Sequence, residues 1–317
     1  MPKKIFFSLP AMAGILFLFF GCDRDAAYQR VDFSKTLAVE KKFASRSGGM
    51  ELRVAVAAMI SPKETFIYYK QLIDYIADRS GHRVRLIQRK TYEEVNALFP
   101  KRQLDLAFIC TGPYAAAKDK YGFEAIATPI IRGAPYYQSY LIVNKNSPYQ
   151  ALEDLRGRVF AFTDPDSNTG ALVPRFWIHE TGDTADRFFS EINYTFSHDN
   201  SILAVAKGLV DAAAVDGHKW EFYNLRNPEF TSRTRVIKKS KPLGSPPLVA
   251  SIHMAEDLKD RIQKIVRAMH ETPDGQRILN ELMIDRFTAP QEAWYRPVRE
   301  MVEVLNAHEP PLVSHES

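Results

Sequence analysis

The sequence predicts an α/β protein built as two doubly wound lobes, and three observations carry that expectation. From Glu51 to about Asn306, short β-rich runs exchange steadily with amphipathic helical stretches. The β-rich runs are mostly continuous in their apolar character, as strands covered by helices on both faces are, which favours doubly wound sheets over a sandwich or a bundle. The pattern extends over about 255 residues, more than one sheet usually needs, and a second strand series starts near Lys145.

The first series opens with ELRVAVAAMI as a strand from Glu51. A helix is expected next over SPKETFIYYKQLIDYIADRSG, with Ser61 as N-cap, Pro62 at the first helical position and Glu64 as capping-box partner. Phe66, Tyr69, Leu72, Ile73 and Ile76 fall on one face, and Gly81 ends the helix. RVRLIQ is the next strand, Thr91 and Glu94 repeat the capping box ahead of VNALF, and LDLAFIC, EAIATPII and YYQSYLIVN read as further strands. The second series, RVFAFT, INYTFS, DAAAVDG and TRVIKKS, lies between roughly Lys145 and Lys241 with helices between its members. PPLVASIHM then returns as a strand, followed only by helices: EDLKDRIQKIVRAMHE, GQRILNELM and QEAWYRPVREMVEVL. The crossovers are expected at YQSYLIVN and SKPLGSPPLV. This divides the chain into a first lobe of residues 50–139 and 243–306, a second lobe of residues 140–242, and a frayed tail over residues 307–317.

The N-terminus sets the compartment. Pro2, Lys3 and Lys4 form a basic start, and Ile5 to Phe20 is an apolar stretch of about 16 residues, shorter than the roughly 20 a spanning helix needs. Residues 1–21 read as a signal peptide. Leu18 to Cys22 resembles a bacterial lipobox, in which Cys22 becomes the lipidated first residue, and Asp23 to Gly49 has the charged, aperiodic composition of a flexible tether. The expected location is therefore the extracytoplasmic face, anchored to the membrane by lipid. Lys+Arg number 42 against 38 Asp+Glu, and removing Lys3 and Lys4 with the leader brings the two nearly level. That balance carries no nucleic-acid footprint. Cys110, the only other cysteine, reads as a small buried hydrophobe, and no ligand set for a metal or cofactor is visible.

One stretch asks for more than structure. TDPDSNTGALVP joins a second-lobe strand to a helix, and ligands of α/β sheets gather at the carboxyl ends of strands. A helix start leaves four N–H groups unpaired and carries about half a positive charge. Ser167, Asn168 and Thr169 add side-chain donors, and Gly170, taken as the N-cap, lets the backbone approach closely. The plainer alternative is that Ser167 or Thr169 only caps the helix and Asp164, Pro165 and Asp166 only form a turn. There is no Gly-Lys-Ser/Thr of a P-loop and no paired glycines of a dinucleotide site.

FTDPDSNTGALVPRFW, FSHDNSILAVAKGLVDAAAVDG and, upstream, DLAFICTGPYA resemble the substrate-binding lipoproteins of phosphonate, phosphite and phosphate ABC transporters, the PhnD-type family. The resemblance runs from about Leu52 to Met283. It implies a type II periplasmic-binding-protein fold, two lobes joined by a two-segment hinge, that closes on a small oxyanion and delivers it to a membrane permease. It also implies that Ser167, Asn168, Thr169 and Gly170 hold the oxyanion at a helix start. His198 and Asp199 match the family's His-Asp pair, Asp216 its acidic position and Tyr114 the aromatic of its Gly-Pro loop. Asn168 departs from the family's middle Thr, adding an acceptor that an anion repels unless the amide is turned. The acidic set with which family members grip an aminoalkyl group has no match.

The residues have structural readings as well. His198 can act as a structural hydrogen-bonder, Asp199 or Asn200 as the N-cap of SILAVAKG, Asp216 as a partner of Lys219, and Tyr136, Tyr137 and Tyr140 as strand or hinge packing. Ser167, His198 and Asp199 supply the residue types of a hydrolase triad, yet the nucleophile elbow is absent and adjacent His and Asp point apart, so no enzyme is expected. A binding protein presenting its closed form to a sensor kinase is the nearer alternative to one serving a permease.

Overall fold

A computed structural model describes residues 51–59 and 61–308. The expected leader, the expected lipidation site Cys22, the expected tether, the Glu64 side chain and the tail beyond His308 lie outside the described residues.

The first sheet grows from β1 (Glu51–Val56), followed by α1 (Pro62–Ser80), β2 (Arg83–Ile87), α2 (Tyr92–Asn96) and β3 (Leu106–Phe108). Helix α1 starts at Ser61 without a side-chain cap bond and stops at Gly81, whose φ of 76° is left-handed. Its inward stripe is Thr65, Tyr69, Leu72, Ile73 and Ile76, none more than 6% exposed. Phe66, expected inward, is 54% exposed, because Thr65 takes the buried position one turn before Tyr69. The second capping box is present in full: Thr91 Oγ1 accepts the Glu94 N–H at 3.1 Å, and Glu94 accepts the Thr91 N–H at 3.3 Å.

Where the sequence suggested a Gly-Pro loop, the chain forms α3 (Thr111–Tyr121), with Pro113 in the first turn, where a missing N–H removes no helical bond. After β4 (Phe123–Ile130), the run YYQSYLIVN divides: Tyr136–Tyr137 forms β5, and Ser139–Asn144 forms β6. The second sheet takes in β6, β7 (Val159–Phe162), β8 (Glu191–Tyr194), β9 (Ala212–Asp216) and β10 (Thr234–Lys239). Its helices are α4 (Val173–His179), α5 (Ala185–Phe188), α6 (His198–Ala206) and α7 (Gly217–Arg226). The return passes through β11 (Leu243–Gly244) and β12 (Leu248–Ser251), then α8 (Glu256–Arg267) and α9 (Pro273–Glu281). A short strand that the sequence reading missed, β13 (Arg286–Thr288), precedes α10 (Arg296–His308). Three residues are too few to show a strand period. Helix α10 also holds Ala307 and His308, expected in the tail.

The first sheet is ordered β13-β4-β12-β3-β1-β2 and the second β10-β6-β9-β7-β8. In each, parallel strands (β1 with β2 and β3; β7 with β8 and β9) meet antiparallel partners supplied by the chain's crossings. Strands β5 and β11 pair only with each other, Tyr137 opposite Leu243, in a two-stranded ladder between the sheets. Apolar side chains fill both sheets' faces; each fully buried Leu, Ile or Phe contributes about 1.5–3 kcal/mol. Helix α10 packs against both α3 and α4.

Candidate functional site

β7 ends at Phe162, and the chain runs through Thr163 to Ser167 into a wide π turn, Asn168–Leu172, that leads into α4. The cap is Ser167, three residues before the expected Gly170. Its Oγ accepts the Gly170 N–H at 3.0 Å, and its carbonyl accepts the N–H groups of Ala171 and Leu172 at 3.0 and 2.9 Å. Pro174 has no N–H to give, so the Thr169 and Gly170 carbonyls lose their helical donors. Both are satisfied from outside the helix: Ser139 Oγ donates to Thr169 O at 2.6 Å, and the Thr163 N–H donates to Gly170 O at 3.1 Å. Gly170 is required because a Cβ there would collide with the Thr163 side chain. The Ser167–Gly170 run thus lies within the first turn, not ahead of it.

Ser167, Asn168, Thr169, His198 and Asp216 are all at most 3% exposed. The Asn168 amide donates from Nδ2 to the Tyr137 hydroxyl at 2.9 Å. Asn168 Oδ1 and Thr169 Oγ1 are buried without a partner among the described residues, and so is the Tyr92 hydroxyl. Across from the turn stand residues of the first sheet and the ladder. The Tyr92 N–H donates to Asp164 Oδ2 at 3.1 Å, and the Asn168 N–H points at Cys110 Sγ at 3.4 Å. Burial raises the Tyr92 and Tyr137 hydroxyls and pushes the Cys110 thiol up to about 12, with the neighbouring carboxylates Asp164 and Asp216 adding to the rise. All three therefore stay protonated and can donate.

His198 Nδ1 accepts the Asp216 N–H at 3.2 Å and lies 3.2 Å from Thr163 Oγ1. A backbone amide can only donate, so Nδ1 is bare and Nε2 carries the proton. Burial lowers the His198 pKa to about 4, which keeps the ring neutral. Asp216 caps α7: its Oδ1 accepts the Lys219 N–H at 3.2 Å, so the pairing with Lys219 runs to that residue's backbone. Asp164, 1% exposed, is pushed up to about 7 by burial, reinforced by the charges of Asp166 and Glu93 and opposed by the two amides it accepts.

Two expected members stand elsewhere. Tyr114 turns its hydroxyl to Glu292 Oε1 at 2.6 Å and packs edge-on against Tyr295 with ring centroids 4.5 Å apart. Asp199 does not cap α6, nor does Asn200: the cap is Ser197, whose Oγ accepts the Asn200 N–H at 3.4 Å. Asp199 Oδ1 instead accepts the Ser61 N–H at 3.1 Å, and the His198 N–H donates to Met59 O at 3.1 Å, so the start of α6 is tied to the segment after β1. Tyr92 drew no expectation from the sequence, and Tyr137, expected as strand or hinge packing, holds the Asn168 amide through its hydroxyl. Tyr92 lies inside the Thr91–Glu94 capping box beyond the carboxyl end of β2, a region where ligands of α/β sheets gather, and that is the available signal.

Ser167 and His198 show no hydrogen bond to each other among the described residues; the imidazole is held by Asp216 and Thr163. What the arrangement offers is a set of neutral donors around a buried seam. Two α/β lobes, a two-stranded ladder between them and this seam define a type II periplasmic binding protein. The family model described as ABC transporter, phosphonate, periplasmic substrate-binding protein matches residues 54–295, and the chain belongs to that family. It is 27% identical over 232 residues to the phosphonates-binding periplasmic protein of Escherichia coli (strain K12), covering 68% of each chain. Among solved structures it is similar to a binding protein component of an ABC phosphonate transporter from Pseudomonas aeruginosa: TM-score 0.78, 22% identity, 85% of this chain and 92% of that one. It is also similar to PhnD1 from Prochlorococcus marinus (MIT 9301) in complex with methylphosphonate: TM-score 0.73, 21% identity, 81% of this chain and 98% of that one. These structural likenesses concern the fold. Membership of the family makes the chain the substrate-binding component of an ABC transporter, working outside the cytoplasm.

Proposed function

We propose that the turn Ser167–Gly170, with His198 and Asp216, binds a small phosphorus oxyanion, a phosphonate, phosphite or phosphate, which lobe closure encloses and a permease receives. The observation that carries this reading is the pair of buried, unpartnered polar atoms on Asn168 and Thr169 in a turn where the neighbouring amides and carbonyls are bonded. A buried polar atom left alone costs about 1–3 kcal/mol, so the turn is built for a partner. The Tyr137 hydroxyl can donate as well as accept. With the Asn168 amide flipped end for end, Oδ1 accepts from that hydroxyl and the NH₂ faces the anion in place of the free oxygen.

Neutral hydroxyls and amides replace water around the charge, His198 contributes its Nε2–H, and a protonated ligand oxygen donates to the Asp216 carboxylate. Tyr92 and Tyr137 close the shell from the opposite side. Asp199 acts as a latch between the lobes, and Tyr114 lies outside the contact set. Cys22 is the site of lipid attachment that tethers the domain to the membrane; a diacylglycerol mass increment on its peptide checks this.

The test is calorimetry of the purified protein with methylphosphonate, phosphite, phosphate and sulfate. Phosphorus oxyanions bind, and Ser167→Ala and Thr169→Ala each weaken them by about tenfold or more, the value of one charge-assisted bond at about 1.5–3 kcal/mol. Unchanged affinity in both variants, or binding of none of the phosphorus anions, refutes the site.

A further inference from the structure

Next to Asp216 lies a cavity of about 50 Å³ between the two sheets' faces. Since a water needs roughly 10–15 Å³ of such space, it admits on the order of four heavy atoms. Its wall is largely apolar, with Met59, Phe108 and Phe287 in the lining, and its polar members are Asp216, His218 and Lys219 from the start of α7 and Tyr69 from α1.

The charges in it are uneven. Lys219 Nζ donates to the Tyr69 hydroxyl at 3.2 Å and lies 5.5 Å from that ring's centroid. An ammonium has three donors, and this is its one hydrogen bond among the described residues. Burial works against the charge, but Tyr69 and Asp216 outweigh it and hold Lys219 above the ordinary lysine range. Burial also lowers the His218 pKa, which keeps that ring neutral at neutral pH. Among the described residues Asp216 is the sole carboxylate in the lining, and one of its oxygens already caps α7, where the helix start stabilises it. A second cation entering the cavity would share that one carboxylate with Lys219. An anionic group would meet an ammonium with two donors to spare.

Resting on the reading of the turn as an oxyanion cradle, we propose that this cavity receives the ligand's organic substituent, and that Lys219 selects a short substituent ending in a carboxylate over one ending in an amine. A methylene and a carboxylate, four heavy atoms, fill the available space, so the favoured class is the phosphonocarboxylates with a one-carbon spacer.

Calorimetry at pH 7.5 with methylphosphonate, phosphonoacetate and 2-aminoethylphosphonate tests it in the wild type and in Lys219→Met. The expected wild-type order is phosphonoacetate at least tenfold tighter than methylphosphonate, with the aminoethyl compound weakest. In Lys219→Met the ratio of phosphonoacetate to methylphosphonate affinity falls at least tenfold, and the aminoethyl compound gains relative to both. The proposal is overturned if methylphosphonate binds the wild type while phosphonoacetate binds no tighter, or if the ratio is the same in the variant. Should Lys219→Met not fold, Lys219→Gln supplies the second arm, and the wild-type order is decisive on its own. Binding of none of the three, methylphosphonate included, would instead defeat the oxyanion reading on which the proposal rests.

Discussion

Asp164 and His198 flank the Ser167–Gly170 turn and titrate in opposite senses, which makes pH a sharp probe of how deeply the seam is buried. Asp164 rises from 3.8 to about 7 and His198 falls from 6.5 to about 4, burial being the leading cause for each. For Asp164 the folded value lies above the unfolded one, so its contribution is fully present below about pH 3.8 and is lost as pH rises through about 7. For His198 the folded value lies below, so its contribution is present above about pH 6.5 and is lost as pH falls through about 4. At about 1.36 kcal/mol per unit, the full swings have upper bounds of about 4 and about 3 kcal/mol. Between about pH 4 and 6.5 the folded protein keeps one proton that the unfolded chain sheds and refuses one that the unfolded chain takes, so the two slopes cancel. Each substitution should expose the other slope. Asp164→Asn should leave stability climbing with pH across that window by up to about 3 kcal/mol, and His198→Asn should leave it falling from pH 4 to 7 by up to about 4 kcal/mol. Urea unfolding of the three proteins from pH 4.5 to 7.5 measures this. Parallel pH profiles for all three would refute the reasoning, since neither group could then be buried as described.

Two further outcomes follow from the geometry of the seam. A Cβ at Gly112 would lie 2.5 Å from Asp166 O and 3.2 Å from Asn168 N, so Gly112→Ala should weaken ligand binding more than tenfold by obstructing closure; an unaltered affinity would show that Gly112 and the turn do not meet in the bound state. Tyr114→Phe removes the bond to Glu292 and should cost about 1–3 kcal/mol of stability with little change in oxyanion affinity, whereas a large affinity loss at full stability would return Tyr114 to the site.

The order of strands and helices was readable because this chain's strands are apolar runs such as LAF and AAAV, and because its helix starts carry their own chemistry, as at Thr91 and Glu94. Reading failed where tertiary contacts outrank local pattern. Gly112 and Pro113 looked like a loop, but a helix start tolerates Pro, and the glycine is needed by the turn that approaches it from the other sheet. The run proposed to bind the ligand stood out in the sequence through Ser167, Asn168 and Thr169. Its register was not, because a π turn opened by Pro174 has no sequence period to betray it. Tyr114 and Asp199 carried the right chemistry, but their partners, Glu292 and Ser61, lie 178 and 138 residues away in the chain.

Four backbone N–H groups bridge the seam. The Tyr92 N–H reaches Asp164, the Asn168 N–H reaches Cys110, the His198 N–H reaches Met59 and the Ser61 N–H reaches Asp199. Each of these bonds joins residues of the first sheet's segment to residues of the second's, so none can persist once the lobes part. Asn168 and His198 appear both here and in the proposed cradle. A ligand that orders the Asn168 amide or the His198 ring therefore positions the same residues whose N–H groups make the latch, and its binding energy acts directly on the open-to-closed equilibrium. Neutral donors suit that coupling. A cradle of arginines would hold an anion tightly while open, and a ligand with equal affinity for both states shifts nothing. A cradle of hydroxyls and amides becomes strong only after closure excludes water, so affinity for the closed state exceeds affinity for the open one.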